Sequence, residues 1–279
     1  MPNICFDFEN ENGFFCVFWF FLQTYIYCRK SNKVIYIKDD KWKFKCENGL
    51  DDYIKLNSNI KKWKKELNET IFYTHMNVPD IILTLNDYIH YSKELFTIKS
   101  DILINYDLPD TYNSIFLRGG DKLLYESKQI PISYYVNKLL EHSGDIKNVF
   151  VHSDDNLLVE NVKQYIKNNS INLHVYNITN CDSNGGTVVM KRLKYGQCKN
   201  IKSIDEMTNT EVKEHTSLML NAIELMRRSK NVVTSFDTNV SRFMKVNYNC
   251  NVYTVNGNYN MEADKNIKNP AYGFTYIIT

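Results

Sequence analysis

The second half of this sequence alternates short apolar runs with amphipathic segments, and this rhythm constrains the fold more than any other feature. The apolar runs predict strands at residues 114–117, 148–151, 173–176, 231–234 and 251–255. The segments between them predict helices at residues 131–142, around Leu158 to Ile166, at 208–228 and at 240–246. Strands that alternate with helices form a parallel sheet with helices on both faces. The predicted fold class is therefore α/β.

A charged turn follows the strand at residues 114–117. Its residues are Arg118, Gly119, Gly120, Asp121, Lys122 and, four positions later, Glu126. An arginine offers a planar fork of donors that matches phosphate oxygens, and glycines let the backbone approach a ligand that a Cβ would exclude. The turn therefore indicates a phosphate-bearing ligand. The alternative is a surface turn whose charges pair with one another.

Polar residues also follow two other predicted strands. The first group is His152, Ser153, Asp154 and Asp155, and the second is Ser235, Asp237, Thr238 and Asn239. Ligands of open parallel sheets bind beyond the carboxyl ends of the strands, so three polar strand ends predict a phosphate or nucleotide site. The two adjacent aspartates stand directly before a helix, which favours helix capping over a metal pair.

The first half of the sequence opens with an apolar segment at residues 14–28. Acidic residues precede it, and Gln23 and Thr24 interrupt it, so it predicts a buried helix and neither a signal peptide nor a membrane anchor. A strand is predicted at 34–37, and helical spacing covers 50–100, notably at Ile60, Trp63 and Leu67 and again over 82–95.

Turn residues near Pro109 separate the two halves. We therefore predict two domains, at residues 1–108 and 109–279. A connection without periodic pattern is predicted at residues 177–200, where Asn, Gly and Ser are frequent.

Charge and cysteine content exclude several protein classes. The 34 basic and 32 acidic residues give a net charge of +2 without a long block of one sign, which argues against a nucleic-acid partner. The seven cysteines are odd in number and contain no C-x-x-C pair, which argues against a zinc cluster and a disulfide framework. We expect a soluble protein of the cytoplasm or another reducing compartment, without an integral membrane segment.

In order and spacing, these motifs resemble the alpha-1,6-fucosyltransferases, the family of core and bacterial nodulation fucosyltransferases. The segments that carry the resemblance are RGGDK at 118–122 with Glu126, PISYY at 131–135, VFVHSDD at 149–155, IELM at 223–226 and SFDTNVSR at 235–242. Residues 12–16 and 41–44 resemble the family's first domain. The resemblance implies a GT-B architecture, in which two Rossmann-like domains with parallel sheets face a cleft.

The resemblance also implies an inverting, metal-independent transfer from GDP-fucose, or another GDP-sugar, to a glycan acceptor, with no further cofactor. By position, Arg118 corresponds to the family's arginine that holds the donor's β-phosphate. Lys122 corresponds to the lysine of the family motif, and Glu126 corresponds to the proposed general base. The implied donor-binding residues are Arg118, Gly119, Gly120, Asp121, Asp154, Asp155, Ser235, Asp237, Thr238, Asn239, Gly13, Phe14, Phe44, Asn221 and Glu224.

The chain departs from the family pattern at three places. Phe116 and Gly119 stand where the family has a histidine and a second arginine. Asn221 or Ala222, with Glu224 nearby, stands where the family has the aspartate that recognises guanine. The base contacts are thus less well matched than the phosphate contacts.

The same residues suit the chemistry of sugar transfer, independently of the family resemblance. Departure of a nucleoside diphosphate builds negative charge on the phosphate, which Arg118 and Lys122 would stabilise. The acceptor hydroxyl loses a proton as it attacks, and Glu126 is a suitable general base.

Three alternatives stay open. The alpha-1,2-fucosyltransferase group shares an R-x-G-D turn but lacks the lysine and the spaced glutamate. A transferase for another nucleotide sugar would explain the altered base contacts, and a catalytically inactive sugar-nucleotide or glycan-binding module would keep the fold alone.

Overall fold

The structure, a computed structural model, describes residues 2–9, 12–67, 69–119, 129–178, 188–192, 198–236, 238–248, 250–259 and 276–277. The chain divides into two compact units. The first unit comprises Met1–Ile102, Thr208–Lys213 and Tyr259–Tyr276, and the second comprises Leu103–Met207, Glu214–Asn258 and Ile277–Thr279.

The described part of the first unit is built on a parallel sheet with helices packed against it. Its elements are β1 (Asn3–Asp7), α1 (Phe14–Lys30), β2 (Ile35–Lys38), a 3-10 helix (Gly49–Asp52), β3 (Ile60–Lys62), β4 (Thr70–Tyr73) and α2 (Leu85–Leu95). The strand order is β3-β2-β1-β4, and all three pairings are parallel. The α/β class predicted for this half is therefore confirmed.

Helix α1 confirms the predicted buried helix. It packs against α2, β1 and β2, and the ring of Phe21 lies 5.5 Å from that of Phe6 and 5.0 Å from that of Phe8. The helix is apolar on most of its circumference because it is buried on most sides. Within the described part of the chain, no helix has the length and apolar character needed to cross a bilayer.

The structure corrects the prediction for this half at two places. Strand β1, the inner strand between β2 and β4, was not predicted, because its apolar run of Ile4, Cys5 and Phe6 is too short for a periodic signal. The helical structure predicted for residues 50–100 is wrong at Thr70–Tyr73, which is strand β4, and at Ile60–Lys62, which is strand β3. The backbone at β3 bonds to β2, as in the bond from the Trp63 amide to the Ile37 carbonyl (2.9 Å), so tertiary pairing overrides the local spacing.

The second unit contains a five-stranded parallel sheet. Its elements are β5 (Asn113–Leu117), α3 (Ile132–Ser143), β6 (Asn148–Ser153), α4 (Asn156–Asn168), β7 (His174–Tyr176), β8 (Val188–Arg192), β9 (Cys198–Ser203), a 3-10 helix (Ile204–Glu206), α5 (Asn209–Arg228), β10 (Asn231–Thr234), α6 (Asn239–Asn247) and β11 (Asn251–Thr254). The first residues of α5, up to Lys213, belong to the first unit. The strand order is β11-β10-β5-β6-β7, with every pairing parallel. A further pair joins β12 (Asn258–Tyr259) to β13 (Tyr276–Ile277).

The predicted strands and helices of this half are confirmed, with three corrections. Strand β6 runs two residues further than predicted and includes His152 and Ser153. Leu140, an apolar residue of the predicted helix at 131–142, is 41% exposed, whereas Tyr135, Val136 and Leu139 are buried. The connection at 177–200 contains β8 and the first half of β9, which pair antiparallel with each other. The glycines and asparagines around them hid their short alternation.

An amide ladder crosses the amino-terminal edge of this sheet. Asn113, Asn231 and Asn251 are the first residues of β5, β10 and β11. The Asn231 Nδ2 donates to Asn113 Oδ1 (2.9 Å) and to the His142 carbonyl (3.0 Å), while Asn251 Nδ2 donates to Asn231 Oδ1 (3.1 Å). Because buried amides require partners, this ladder favours a single register for the three strands.

Replacing the central amide should therefore destabilise the sheet. We expect Asn231→Ala to lower the free energy of unfolding by about 2 kcal/mol, since it also leaves the buried Asn113 amide with one partner fewer. Thermal unfolding of the variant measures this. Asn148→Ala is the control, because the Asn148 amide makes a 3.4 Å bond at an exposed position. Equal melting temperatures for both variants would contradict a stabilising ladder.

Candidate functional site

Three polar segments converge at the carboxyl edge of the second sheet. Strand β5 lies between β6 and β10, and all three run parallel. The residues that follow them, Arg118, Asp154 and Ser235, therefore lie at one edge, as the sequence predicted. This edge is the candidate site.

Asp154 joins two of these strand ends. Its Oδ2 pairs with Nη1 of Arg118, and its Oδ1 accepts a hydrogen bond from the Gly119 amide at 2.5 Å. The side chains of Arg118 and Asp154 are 20% and 7% exposed, so the pair is largely withdrawn from water. Asp154 was predicted to cap a helix together with Asp155. That prediction is wrong for Asp154, which instead positions the guanidinium after β5.

Gly119 allows this contact because it has no side chain. A Cβ at this position would lie 2.6 Å from Cβ of Asp155 and 2.9 Å from Cδ1 of Leu158. Carbon atoms do not approach so closely, so another residue here would displace the turn or α4. The atoms that leave no room for a Cβ at Gly119 thus belong to the protein itself, to Asp155 and Leu158.

Asp155 caps helix α4, which confirms the predicted role of the second aspartate. Its Oδ1 accepts a hydrogen bond from the Leu157 amide (3.1 Å), and its own amide donates to Ser153 Oγ (3.0 Å). A carboxylate cap of this kind contributes about 1 kcal/mol to helix stability. The cap fixes the start of α4 directly beside Gly119.

Below the Arg118–Asp154 pair lies a buried histidine. His152 is paired in register with Phe116, and the two rings stack with centroids 6.1 Å apart and planes 19° apart. His152 is 4% exposed, and its Nδ1 has no hydrogen-bond partner among the described residues. Burial lowers the pKa of His152 to about 4, so the imidazole is neutral at physiological pH. The sequence placed His152 after the strand and gave no sign of this burial.

The buried imidazole makes stability depend on pH. The unfolded state binds a proton at His152 near pH 6.5, whereas the folded state does so only near pH 4. The free energy of unfolding therefore keeps its full value, as far as His152 is concerned, above pH 6.5. It falls by on the order of 3 kcal/mol as the pH drops toward 4. We expect His152→Phe to reduce the loss of stability between pH 7 and pH 4.5, measured by denaturant unfolding.

The control for this measurement is His174→Phe, because His174 lies exposed on β7 of the same sheet. The control should keep the pH dependence of the unaltered protein. A His152→Phe profile that coincides with that of the control would show that His152 is not the group responsible.

Hydroxyl groups gather at the start of helix α6, after β10. Thr238 Oγ1 accepts a hydrogen bond from the Ser241 amide (3.0 Å) and lies 2.6 Å from Ser241 Oγ, which in turn lies 2.8 Å from Thr234 Oγ1. Thr238 therefore caps the helix. Ser235 is 2% exposed, and its Oγ has no partner in the described part of the chain.

Asn239, the first residue of α6, accepts a hydrogen bond from Nη1 of Arg242 (3.2 Å). The guanidinium of Arg242 also lies over the ring of Phe236, 5.9 Å from its centroid. The positively charged group of Arg242 thus lies at the first turns of α6. Donor contacts from Ser235, Thr238 and Asn239 stay predictions.

The two residues expected near the nucleotide base are engaged in structural contacts. The buried Asn221 accepts a hydrogen bond from the Ile104 amide (2.8 Å) and donates to the Ser217 carbonyl (2.8 Å). Glu224 accepts bonds from Arg227 (2.7 Å) and Arg228 (3.1 Å). Burial alone would raise the pKa of Glu224, but these two arginines outweigh burial and hold it below its ordinary value.

The predicted contacts of the first unit lie at and near the start of α1. The Gly13 carbonyl accepts hydrogen bonds from the amides of Cys16 (3.0 Å) and Val17 (3.2 Å). The buried rings of Phe14 and Phe44 are 5.6 Å apart and both pack on Trp42. These two rings contribute to an aromatic cluster in the core of the first unit.

Five predicted site residues lie outside the described residues. They are Gly120, Asp121, Lys122, Glu126 and Asp237. Their predicted roles therefore stay predictions. Among the residues that the structure describes, no three His, Cys, Asp or Glu side chains are grouped as metal ligands would be.

Comparison with known proteins gives a match in structure only. No protein-family model and no curated protein sequence matches this chain. The crystal structure of POFUT1 in complex with GDP matches with a TM-score of 0.54 at 9% identity, over 91% of this chain and 98% of that one.

Two structures of NodZ are also similar to this chain, each at 9% identity. NodZ alpha-1,6-fucosyltransferase soaked with GDP-fucose matches with a TM-score of 0.49 over the whole of both chains. Fucosyltransferase NodZ from Bradyrhizobium matches with a TM-score of 0.47 over 87% of this chain and 92% of that one.

The POFUT1 match and the two parallel α/β units define the fold. It is the GT-B fold, in agreement with the prediction from sequence. The POFUT1 match confirms the resemblance stated from the motifs at the level of the fold alone.

Proposed function

We propose that this chain is a glycosyltransferase that moves fucose from GDP-fucose to a glycan hydroxyl, with inversion and without a metal ion. The observation that carries the proposal is the Arg118 guanidinium, held by Asp154 at the carboxyl edge of the sheet. The fold, shared with a structure of POFUT1 bound to GDP, supports a glycosyltransferase. The nucleotide sugar would bind at the edge formed by β5, β6 and β10.

The chemistry of this transfer requires a fixed cation. As the bond from the anomeric carbon to the diphosphate breaks, negative charge accumulates on the leaving phosphate. A guanidinium already oriented by a buried carboxylate stabilises that charge without reorganising during the reaction. A guanidinium carries five N–H donors, so pairing with one carboxylate oxygen is compatible with binding a phosphate as well. Lys122 would add a second positive charge.

The proton of the acceptor hydroxyl needs a base. Glu126 follows Arg118 by eight residues and would accept this proton as the hydroxyl attacks the anomeric carbon. The acceptor oxygen and the leaving diphosphate would lie on opposite faces of the sugar, which gives inversion. His152, beneath the site, is neutral and therefore does not repel the Arg118 guanidinium.

A second candidate is a transferase that uses another nucleotide sugar. Recognition of guanine by hydrogen bonds needs acceptors for the donors on its Watson–Crick edge, and a carboxylate is the usual choice. Both polar groups of Asn221 have partners within the protein, and Glu224 is bound by two arginines. Calorimetry with GDP, UDP and ADP tests this candidate. Affinities of the three nucleotides within a few fold of one another would favour another nucleotide sugar over GDP-fucose as the donor.

Donor binding should depend on Arg118. We expect GDP-fucose to raise the melting temperature by several degrees in the presence of EDTA, since a ligand at 100 times its Kd stabilises a protein by about 2.7 kcal/mol. Arg118→Ala should abolish the shift, and Arg118→Lys should restore only part of it, because lysine lacks the planar fork. Thermal shift measures all three proteins.

Lys138→Ala is the control for charge, because Lys138 pairs with Glu141 at the exposed surface of α3. It should keep the full shift. A full shift in Arg118→Ala would refute the phosphate assignment, and a shift that requires magnesium would refute metal independence.

Glu126 should matter for chemistry more than for donor binding. We expect Glu126→Gln to keep GDP affinity within a few fold while lowering turnover by roughly 10² to 10⁴, the usual contribution of general-base catalysis. Calorimetry gives the affinity, and product mass gives the transfer rate on the same preparation. If Glu126 only pairs with a cation at the rim, the variant loses donor affinity or stability and keeps its turnover per bound donor.

A further inference from the structure

The outer edge of the first unit's sheet carries a concentrated apolar surface. Strand β4 lies at the end of this sheet, and β1 is its one neighbour among the described strands. Ile71 and Phe72, in the middle of β4, are 41% and 38% exposed. Met76, in the turn that follows, is 83% exposed, and Ile82 beyond it is 65% exposed. These four side chains are half of the eight large hydrophobic residues that are exposed in the described part of the chain.

This apolar surface is part of an ordered strand and turn. The turn at residues 74–77 is closed by two backbone hydrogen bonds between Thr74 and Asn77 (3.0 and 3.3 Å). The ring of Tyr73 contacts the ring of Tyr27 on α1, with centroids 6.2 Å apart. Exposed apolar surface of this kind marks an interaction site when it is contiguous.

The backbone of β4 presents hydrogen-bonding groups at the same edge. The Asn3 amide of β1 donates to the Glu69 carbonyl (2.8 Å), which sets the direction in which the groups of β4 point. This direction alternates along a strand, so Ile71 also faces β1, whereas the N–H and C=O groups of Thr70 and Phe72 face outward. Such edges pair with further strands unless a proline or a charged residue blocks them, and β4 contains neither.

We propose that β4 pairs antiparallel with β4 of a second copy of this chain, so that their two sheets join into one. A two-fold axis perpendicular to the sheet keeps the faces of the two copies aligned, and it places Phe72 directly opposite Phe72 of the other copy. The outward groups of these two residues then exchange two backbone hydrogen bonds. The turn at residues 74–77 of each copy would lie beside Thr70 of the other, which brings Met76 to the interface.

Pairing through Phe72 joins two aromatic contacts into one cluster. The ring of Phe72 already contacts Trp63, with centroids 5.6 Å apart and planes at 65°. Residues directly opposite each other share a face of a sheet, so the two Phe72 rings would meet between the two Trp63 rings. Aromatic pairs across neighbouring strands stabilise the pairing. On the opposite face, Ile71 of each copy would pack against Tyr73 of the other.

The charge of this segment favours a second copy as its occupant. Residues 70–79 contain no Asp, Glu, Lys or Arg. A two-fold contact places equal charges near each other, so an uncharged segment avoids the repulsion that opposes self-association. An anionic bilayer is attracted by a surplus of basic residues, whereas the exposed Lys64 and Lys65 are followed by the exposed Glu66 and Glu69.

The experiment measures the oligomeric state of the full chain by sedimentation equilibrium at roughly 1 to 100 µM, a range that brackets a weak interface. Phe72→Lys places two ammonium groups opposite each other, and Phe72→Glu places two carboxylates there. An equimolar mixture of the two variants places opposite charges together. Leu140→Lys is the control, because Leu140 is 41% exposed on α3 of the second unit. Circular dichroism checks that each variant is folded.

We expect the unaltered chain and the control to dimerise with a dissociation constant on the order of micromolar, because a short strand edge buries less area than a standard interface. Each Phe72 variant alone should dimerise roughly ten-fold more weakly or less, since it loses the aromatic contacts and gains a like-charge pair. The equimolar mixture should recover most of the dimer, because position 72 of one copy lies opposite position 72 of the other.

Hydrogen exchange of the unaltered chain gives a second measurement that needs no variant. The Phe72 amide faces outward in the single copy and donates across the axis in the dimer. It should therefore exchange more slowly at the highest concentration than at the lowest. Exchange of this amide that does not change with concentration, in a chain that dimerises, would place the interface elsewhere.

Four further outcomes would overturn the proposal. A monomer over the whole concentration range would show that this edge does not pair. Dimerisation that is unchanged in Phe72→Lys would assign the interface to another surface. A mixture of the two Phe72 variants that dimerises no more than either variant alone would exclude the two-fold register. Binding of a monomeric chain to phosphatidylserine vesicles that Phe72→Glu abolishes would assign the edge to a membrane.

Discussion

The contact of Asp154 with Arg118 and Gly119 is the interaction on which the candidate site depends. A buried carboxylate is costly unless a cation and hydrogen-bond donors compensate it. Arg118 supplies the cation, and the Gly119 amide supplies a donor. The carboxylate in turn joins the end of β6 to the end of β5. The guanidinium is therefore held in place by the protein alone, before any ligand arrives.

The same arrangement recurs in the first unit. Asp39, directly after β2, accepts hydrogen bonds from the Leu50 amide (2.7 Å) and from Nζ of Lys62 (2.5 Å). Gly49 precedes Leu50 with φ of +67°, and a Cβ there would lie 2.2 Å from Asp39. In both units a carboxylate after a strand binds a cation and a backbone amide beside a glycine. This arrangement orders a loop at the carboxyl edge of a parallel sheet, where ligands of such sheets bind.

Beneath the Arg118–Asp154 pair, the two strands pair Phe116 with His152. These rings exclude water from the floor of the site, which strengthens the electrostatic contacts above them. Because the buried His152 is neutral, this floor is uncharged. Arg118 is thus a cation over an apolar base, an environment in which a bound phosphate interacts more strongly than in water.

Much of the fold could be predicted from the sequence because it is encoded locally. The strands of the second sheet, the buried helix α1, the cap at Asp155 and the start of α5 at Thr208 with Glu211 all follow from apolar periodicity and capping chemistry. Other features could not be predicted, because they depend on partners distant in sequence. Strands β1, β3, β8 and β9 are too short to be recognised without the strands beside them.

The sequence by itself determined which residues reach the carboxyl edge of the second sheet, because each follows a strand whose pattern is visible. Only the tertiary structure decided what they do there. Asp154 positions Arg118 because β5 and β6 are neighbours, and Asn221 is engaged because the Ile104 amide lies beside it. Contacts between distant segments arise from the packing of the whole sheet, which no local pattern contains.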